Sequence, residues 1–249
     1  MYTHAINPTI LQLGPLEIRW YGLMYVLAFF ATYYYVRSAI RQGKLNLTEK
    51  ELDSLLGLMV VLMIAGARLF YAIFYNPTYF MGAPWKILYI WEGGLSFHGG
   101  FLGVATAAWI YARKKGIPFL RFADIFCVPI ALGNAFGRIG NFINGELYGV
   151  VTNLPWGVVF PGAEGARHPT QIYEVLYNVV IFGVLYSVRN KNWKDGTIFG
   201  IFMILYAIFR FAVEFIKDLP GYGPLTMGQW LTIPVFLLGI LLVWRTRNV

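Results

Sequence analysis

The chain has 249 residues, of which 58% are hydrophobic, 18% aromatic and only 13% charged. Soluble domains carry about 25% charged residues, so this composition argues against a water-soluble protein. A single cysteine, Cys127, also excludes an internal disulfide and a cysteine metal cluster.

In chain order, no basic residues precede the first apolar run and no small-residue cleavage site follows it, so a cleavable signal is not expected. Seven segments are long enough to cross about 30 Å of hydrocarbon: approximately 20–37, 54–75, 95–112, 122–140, 172–188, 196–216 and 228–244. The third and seventh are the cleanest. The fourth, fifth and sixth reach spanning length only by including polar residues, and counts of six or eight compete. The predicted fold is an all-α integral membrane protein of seven transmembrane helices, one polytopic domain over 1–249, with no internal repeat. Residues 77–92 hold Tyr79, Phe80, Trp85, Tyr89 and Trp91 with two prolines, a composition suited to the membrane–water interface. Residues 149–169, rich in Gly and Pro, are expected to form a small extracytoplasmic cap.

Basic residues set the orientation. Arg37, Arg41, Lys44 and Lys50 follow span one, and Arg113, Lys114, Lys115 and Arg121 follow span three. Arg189, Lys191 and Lys194 follow span five, and Arg245 and Arg247 follow span seven, so thirteen of twenty basic residues fall on one side. This alternation predicts an external N-terminus and a cytoplasmic C-terminus. The net charge of +8 then reads as topology and contact with anionic lipid headgroups, with no nucleic-acid footprint.

Ionisable groups within such spans cost several kcal/mol unless they meet a partner or ligand. Arg68 in span two is followed by Tyr71 and Tyr75 on one helical face. Span three opens with Gly93-Gly94-Leu-Ser96-Phe-His98-Gly99-Gly100, where glycines leave room beside an imidazole suited to proton transfer near neutrality. A structural histidine is the competing reading. The densest polar stretch is Gly137-Arg138-Ile-Gly-Asn141-Phe-Ile-Asn144-Gly145-Glu146-Leu-Tyr-Gly149. If helical throughout, it places Arg138, Asn141, Gly145 and Gly149 on one face. Packing through Gly133 and Gly137 explains glycines, but not Arg138, Asn141, Asn144 and Glu146. His168-Pro169-Thr-Gln171-Ile-Tyr173-Glu174 opens span five, with His168 a candidate helix cap. Tyr206, Arg210 and Glu214 recur every four residues in span six, either as an internal ion pair or as part of a site. Topology puts His98, Arg138, Glu146 and His168 near the outer leaflet, with Arg210 about two turns below. Paired arginines there make an anion pocket, because the guanidinium fork binds phosphate oxygens bidentately. No carboxylate–histidine set has metal-ligand spacing, so neither a metal nor a cofactor is expected.

The 137–149 run resembles the signature of bacterial prolipoprotein diacylglyceryl transferases. Trp20-Tyr21-Gly22-Leu23-Met24-Tyr25, the Gly-Gly-Leu-Ser-Phe-His98-Gly-Gly run, Arg167 to Glu174 and Tyr206 to Glu214 are similar to that family in the right order. The region 150–167 is shorter than in longer members, and Arg19 stands where some members carry histidine, so Arg19 inherits no catalytic role. The resemblance implies transfer of the diacylglyceryl group of phosphatidylglycerol to the lipobox cysteine of a preprolipoprotein signal peptide, at the bacterial inner membrane. In that reading Arg138 and Arg210 hold the phosphate, and Asn141, Asn144, Tyr21 and Gly99 bind the lipid. His98 is the first candidate for the base and Glu146 the second. Glu214, Tyr206, His168 and Arg68 support them. Cys127 reads as a small buried hydrophobe, since the nucleophile belongs to the substrate. An anionic-lipid transporter and a structural scaffold are the alternatives.

Overall fold

The computed structural model describes residues 2–14 and 16–247. In chain order it begins with β1 (Tyr2–Thr3) and a hairpin of β2 (Thr9–Leu13) and β3 (Leu16–Arg19). Helices α1 (Trp20–Arg41), α2 (Glu49–Phe74) and the short α3 (Pro77–Gly82) follow. Then come two 3₁₀ turns, Pro84–Leu88 and Ile90–Glu92, and helices α4 (Phe97–Lys115) and α5 (Phe119–Asn144). After β4 (Val158–Val159) the chain forms α6 (Thr170–Val188) and α7 (Thr197–Glu214). A hairpin of β5 (Gly221–Tyr222) and β6 (Leu225–Thr226) leads into α8 (Met227–Arg247).

Every predicted span is helical, and six helices are long and apolar enough to cross a membrane: α1, α2, α5, α6, α7 and α8. The third expected span, read as one of the cleanest, forms α4 but is not among the six. Its first turn is Phe-His-Gly-Gly and its last carries Arg113, Lys114 and Lys115, so only its middle is strongly apolar. Many large apolar side chains on these helices face outward, among them Leu176, Val179 and Val180 of α6 and Leu237, Leu238 and Leu241 of α8. A soluble protein rarely exposes such surfaces; a lipid solvent explains them. The fold is that of an all-α membrane protein, its strands confined to short two-stranded pieces.

The helices start and stop for local reasons. Thr48 and Glu51 form a capping box at the head of α2: the Glu51 amide donates to the Thr48 hydroxyl (3.2 Å), and the Thr48 amide donates to the Glu51 carboxylate (2.8 Å). The head of α7 is capped from a distance. The Gly196 and Phe199 amides donate to the two oxygens of Asp124 on α5, at 2.6 and 2.7 Å, where the dipole favours a carboxylate.

The residues gather into two compact units, one holding the chain up to Tyr35 together with that from Ala123 onward, the other holding Val36–Phe122. In the first, Cys127, Val128 and Ala131 of α5 pack on Tyr177, Ile181 and Leu185 of α6, flanked by Phe202, Leu205 and Phe209 of α7. In the second, α2 and α4 pack closely. A Cβ on Gly99 would strike the Gly66 carbonyl and the Phe70 Cβ, and one on Gly103 the Leu62 carbonyl. The expected 77–92 segment falls in this unit as α3 and the two turns, none long enough to span a membrane.

Candidate active site

The 137–149 run is not helical throughout. Helix α5 stops at Asn144 because Gly145 takes a φ of +70°, a left-handed conformation open to glycine at little cost. The Glu146 amide donates to the Asn141 carbonyl (3.1 Å) and the Gly145 amide to the Phe142 carbonyl (2.9 Å), the paired bonds of a Schellman cap. Arg138 and Asn141 therefore share a helical face, as expected, whereas Gly145 and Gly149 lie beyond the helix. The cap folds Glu146 back over the last turn. Its Oε1 accepts from the side-chain amides of Asn141 (2.8 Å) and Asn144 (3.1 Å), and Asn141 Oδ1 accepts from Arg138 Nη1 (3.0 Å). The order Arg138–Asn141–Glu146–Asn144 is one continuous hydrogen-bonded string.

The string joins a buried carboxylate at its other end. Glu174, in the second turn of α6, is 1% exposed. Arg138 Nε pairs with its Oε2. Its Oε1 receives Arg210 Nη1 at 2.6 Å and Lys217 Nζ at 2.7 Å. Arg210 also reaches Glu214 one turn along α7, Nη2 to Oε2 at 2.9 Å. Glu214 is held in turn by the Thr226 hydroxyl at 3.1 Å, and a Cβ on Gly228 at the head of α8 would overlap its carboxylate. The Arg210–Glu214 stripe thus contains the internal ion pair that the spacing allowed, joined through Glu174 to Arg138.

The backbone after the signature is shaped to bring Lys217 in. The Gly149 amide donates to the His168 carbonyl (2.8 Å), the Val150 amide to the Ile216 carbonyl (3.0 Å), and Gly149 bridges Lys217. A Cβ on Gly149 would overlap the Ile216 carbonyl and stand 2.8 Å from Thr170 Cγ2; only glycine allows that approach. Gln171 and Thr170 at the head of α6 donate to the carbonyls of Glu146 (2.6 Å) and Leu147 (2.8 Å), fixing the turn to the helix that carries Glu174. Leu147 adopts a φ of +62° there.

Tyr21 lies against the same face of α5, where a Cβ on Gly140 would come within 2.6 Å of its ring, and its hydroxyl meets that of Tyr25 at 3.2 Å. The tight glycine on α5 is therefore Gly140; Gly137 has open space around it. Tyr206 packs near Tyr177 in the core. His168 does not cap α6, whose cap position is Pro169. Its Nδ1 meets the Tyr173 hydroxyl (3.1 Å), which also accepts from Trp156 Nε1 (2.8 Å). This ties the 149–169 segment, with its β1–β4 pair, to α6.

His98, Gly99 and Arg68 belong to the Val36–Phe122 unit. His98 is an exposed side chain in the first turn of α4, its ring 6.2 Å from that of Phe70. Gly99 is buried against α2. Arg68 is buried, and its nitrogens donate to the carbonyls of Ile87 (3.0 Å), Lys86 (2.7 Å), Tyr89 (2.9 Å), Gly93 and Gly94 (3.3 Å). That guanidinium organises the 86–94 backbone. Among the described residues no group of three His, Cys, Asp or Glu side chains is placed to hold a metal ion.

Glu174 and Lys217 are the two members of the constellation that sequence reasoning passed over. Glu174 had a signal, an acidic residue in the first turns of an expected span. Lys217, seven residues after Arg210, had only the spacing of a face that continues past the end of α7.

Comparison with known proteins agrees with the resemblance. A profile described as prolipoprotein diacylglyceryl transferase matches residues 8–245. The phosphatidylglycerol–prolipoprotein diacylglyceryl transferase of Geobacter sulfurreducens is 46% identical over 243 residues, covering 94% of this chain and 93% of the relative. That of Bordetella avium is 44% identical, covering 97% and 95%, and that of Desulfotalea psychrophila 43%, covering 98% and 94%. With six apolar helices of spanning length and this match over nearly its whole length, the chain is a multi-pass bacterial membrane protein that belongs to the prolipoprotein diacylglyceryl transferase family.

Proposed function

We propose that this protein is a transferase that moves the diacylglyceryl group of phosphatidylglycerol to the lipobox cysteine thiol of a prolipoprotein. The observation that carries the reading is the Arg138–Glu174–Arg210 bridge, built on a buried carboxylate, in a family whose relatives are named for that reaction. The thiol gives its proton to a base, and its sulfur attacks the glycerol carbon bearing the phosphate ester. The carbon–oxygen bond breaks, its electron pair leaves with glycerol phosphate, and a thioether remains.

Two arginines held by one carboxylate suit this chemistry. Glu174 keeps both guanidiniums fixed and close together, which places their remaining donors without reorganisation. Arg138 commits Nε to Glu174 and Nη1 to Asn141, leaving Nη2 without a protein partner among the described residues. A lipid phosphate exchanges for part of the carboxylate's contacts and takes the fork in two bonds. As the ester bond breaks, the phosphate gains charge, and the arginines stabilise it most at that moment. Tyr21, Asn141, Asn144 and Gly99 bind the lipid, and Glu214, Tyr206, His168 and Arg68 serve the supporting roles, as the resemblance implies.

A free thiol near pKa 8.5 needs a base. Glu146 accepts from two amides on one oxygen, which leaves its other oxygen for a thiol proton, and stands in the same unit as the arginines. His98 is the other candidate, first by resemblance. Substituting each with its neutral isostere, Glu146→Gln and His98→Asn, and comparing the pH profiles of transfer separates them.

The membrane setting follows the basic residues. We place seven crossings, α4 included, with the N-terminus outside, the C-terminus cytoplasmic and the arginine cluster at the outer leaflet of the inner membrane. The 77–92 segment lies at the interface and 149–169 forms an extracytoplasmic cap on a single polytopic domain. The test is direct. Purified protein in phosphatidylglycerol vesicles with a lipobox peptide is expected to yield a thioether-linked diacylglyceryl peptide and glycerol phosphate. Translocation of intact phosphatidylglycerol without product would replace the reading with a lipid transporter.

A further inference from the structure

We propose that Lys217 is a positioning residue for the anionic lipid: it keeps Glu174 paired while the arginines turn to the phosphate, and it adds a positive charge to the cluster the lipid enters. The inference rests on the reading of Arg138 and Arg210 as a phosphate site.

Lys217 is 8% exposed, and lysine is almost never buried unless paired. Its Nζ sits 2.7 Å from Glu174 Oε1, the same oxygen that Arg210 Nη1 reaches at 2.6 Å. Two cations on one carboxylate oxygen are more than a structural ion pair needs. The arrangement fits a carboxylate that holds the place of a second anion. When Arg210 leaves Glu174 for phosphate, an otherwise lone buried carboxylate faces a large desolvation penalty. Lys217 removes that penalty because it stays. Its backbone is fixed by the bridge to Gly149, so the ammonium is delivered from the signature side while Arg210 comes from α7.

Charge counting points the same way. Three cations, Arg138, Arg210 and Lys217, pair directly with two carboxylates, Glu174 and Glu214, and Glu146 joins Arg138 through Asn141. A phosphodiester headgroup adds one negative charge, so removing Lys217 leaves the filled cluster one positive charge poorer beside a buried carboxylate. A lysine also suits the task better than a third fork, since a compact point charge holds one oxygen and does not compete for bidentate contact with phosphate.

The groups facing Lys217 are Arg138 from α5, Glu174 from α6, and Arg210 and Glu214 from α7, with the phenols of Tyr177 and Tyr206 further along α6 and α7. Asp218 beside it is occupied by Arg167 at 2.9 Å. Burial pushes the Lys217 ammonium below the usual lysine value, opposed by Glu174. Because this value is lowered, the charge is lost on the alkaline side before the ordinary lysine range is reached.

The experiment measures KM for phosphatidylglycerol and kcat across alkaline pH, with one lipobox peptide, for wild type, Lys217→Met and Lys217→Arg in vesicles. Lys217→Met is expected to raise KM about tenfold or more, with a smaller change in kcat. Lys217→Arg is expected to work at neutral pH and to shift the alkaline rise in KM to higher pH, because a guanidinium does not deprotonate there. Titration of the peptide thiol is common to all three proteins and cancels in the comparison. Wild-type KM in Lys217→Met, or an unmoved alkaline limb in Lys217→Arg, overturns the inference while leaving the transferase reading intact. If Lys217→Met fails to fold, Lys217→Arg decides alone. If wild type forms no thioether product, the function reading falls and not merely the role of Lys217.

Discussion

Two guanidinium sites in this protein differ in what holds them, and the proposed reaction draws on that difference. Arg68 has its donors taken by backbone carbonyls of residues 86–94, and the Phe80 ring lies 5.0 Å from its carbon. Those carbonyls are neutral, covalently placed and have no reason to leave. Arg138 and Arg210 are held by Glu174, a charged side chain that the lipid phosphate would displace in part in the proposed reaction. A backbone-bound arginine orders a segment; in that reading a carboxylate-bound arginine, with another cation on the same oxygen, is the one able to exchange partners. Burial differs in the same sense: Arg68 is 4% exposed, whereas the Arg138 and Arg210 side chains are 26% and 17% exposed.

The comparison breaks most sharply at Arg138. Arg138→Lys keeps the charge near Glu174 but loses the fork that joins Glu174, Asn141 and the substrate phosphate. Transfer is expected to fall about 100-fold or more, the scale of losing a preorganised donor at a developing anion, while the protein still folds and inserts. The check is thioether product from phosphatidylglycerol and a lipobox peptide; full activity in this variant would sink the bidentate reading. Next in size is Gly149→Ala, which presses a methyl group into the Ile216 carbonyl and Thr170. Overpacking of this kind costs about 1–3 kcal/mol, so thermal unfolding shifts down. Since the same push moves Lys217 from Glu174, activity per folded molecule is expected to fall as well. Loss of stability with full specific activity would show that the glycine serves packing alone.

At the scaffold site the expectation reverses. Arg68→Lys leaves several carbonyls of 86–94 without a donor, at about 1–3 kcal/mol for each buried unsatisfied group. Hydrogen exchange and proteolysis in 84–94 should accelerate, with transfer reduced only a few-fold. A collapse of transfer as deep as that of Arg138→Lys, in protein with normal exchange, would erase the distinction between the two sites.

Much of this was legible before any coordinates. Hydropathy located α1, α2, α5, α6, α7 and α8, because a lipid solvent demands about 20 apolar residues per crossing; it also pointed to α4, which is helical but falls short of that demand. The cost of charge in such segments then marked Arg68, Arg138, Arg210 and Glu214. Legibility stopped where the third dimension entered. Spacing alone does not tell that Arg68 turns to backbone and Arg138 to a carboxylate. The helical projection of 137–149 also failed, since Gly145 ends the helix and folds Glu146 back by a cap that periodicity does not encode. Glu174 and Lys217 converge from α6 and from the strand-like segment after α7, a meeting fixed by the Gly149 bridge and written in no single stretch of sequence.

The smallest expected effect is at Cys127, and it tests the division of labour between enzyme and substrate. Cys127 is buried in the α5–α6 core beside Val128 and Ala131, and its thiol donates to the Asp124 carbonyl at 3.3 Å. A nucleophilic thiol needs exposure and a partner that favours the thiolate; a carbonyl acceptor and an apolar shell favour the opposite form. In the proposed reaction the attacking sulfur arrives on the lipobox peptide, so no enzyme thiol is required. A serine in its place donates to the same carbonyl, and its smaller size leaves little void. Cys127→Ser is therefore expected to transfer at the wild-type rate, with stability changed by about 1 kcal/mol or less. Abolished transfer in a folded Cys127→Ser protein would move the nucleophile onto the enzyme, and the arginine cluster would then have to stabilise departure from a different first step.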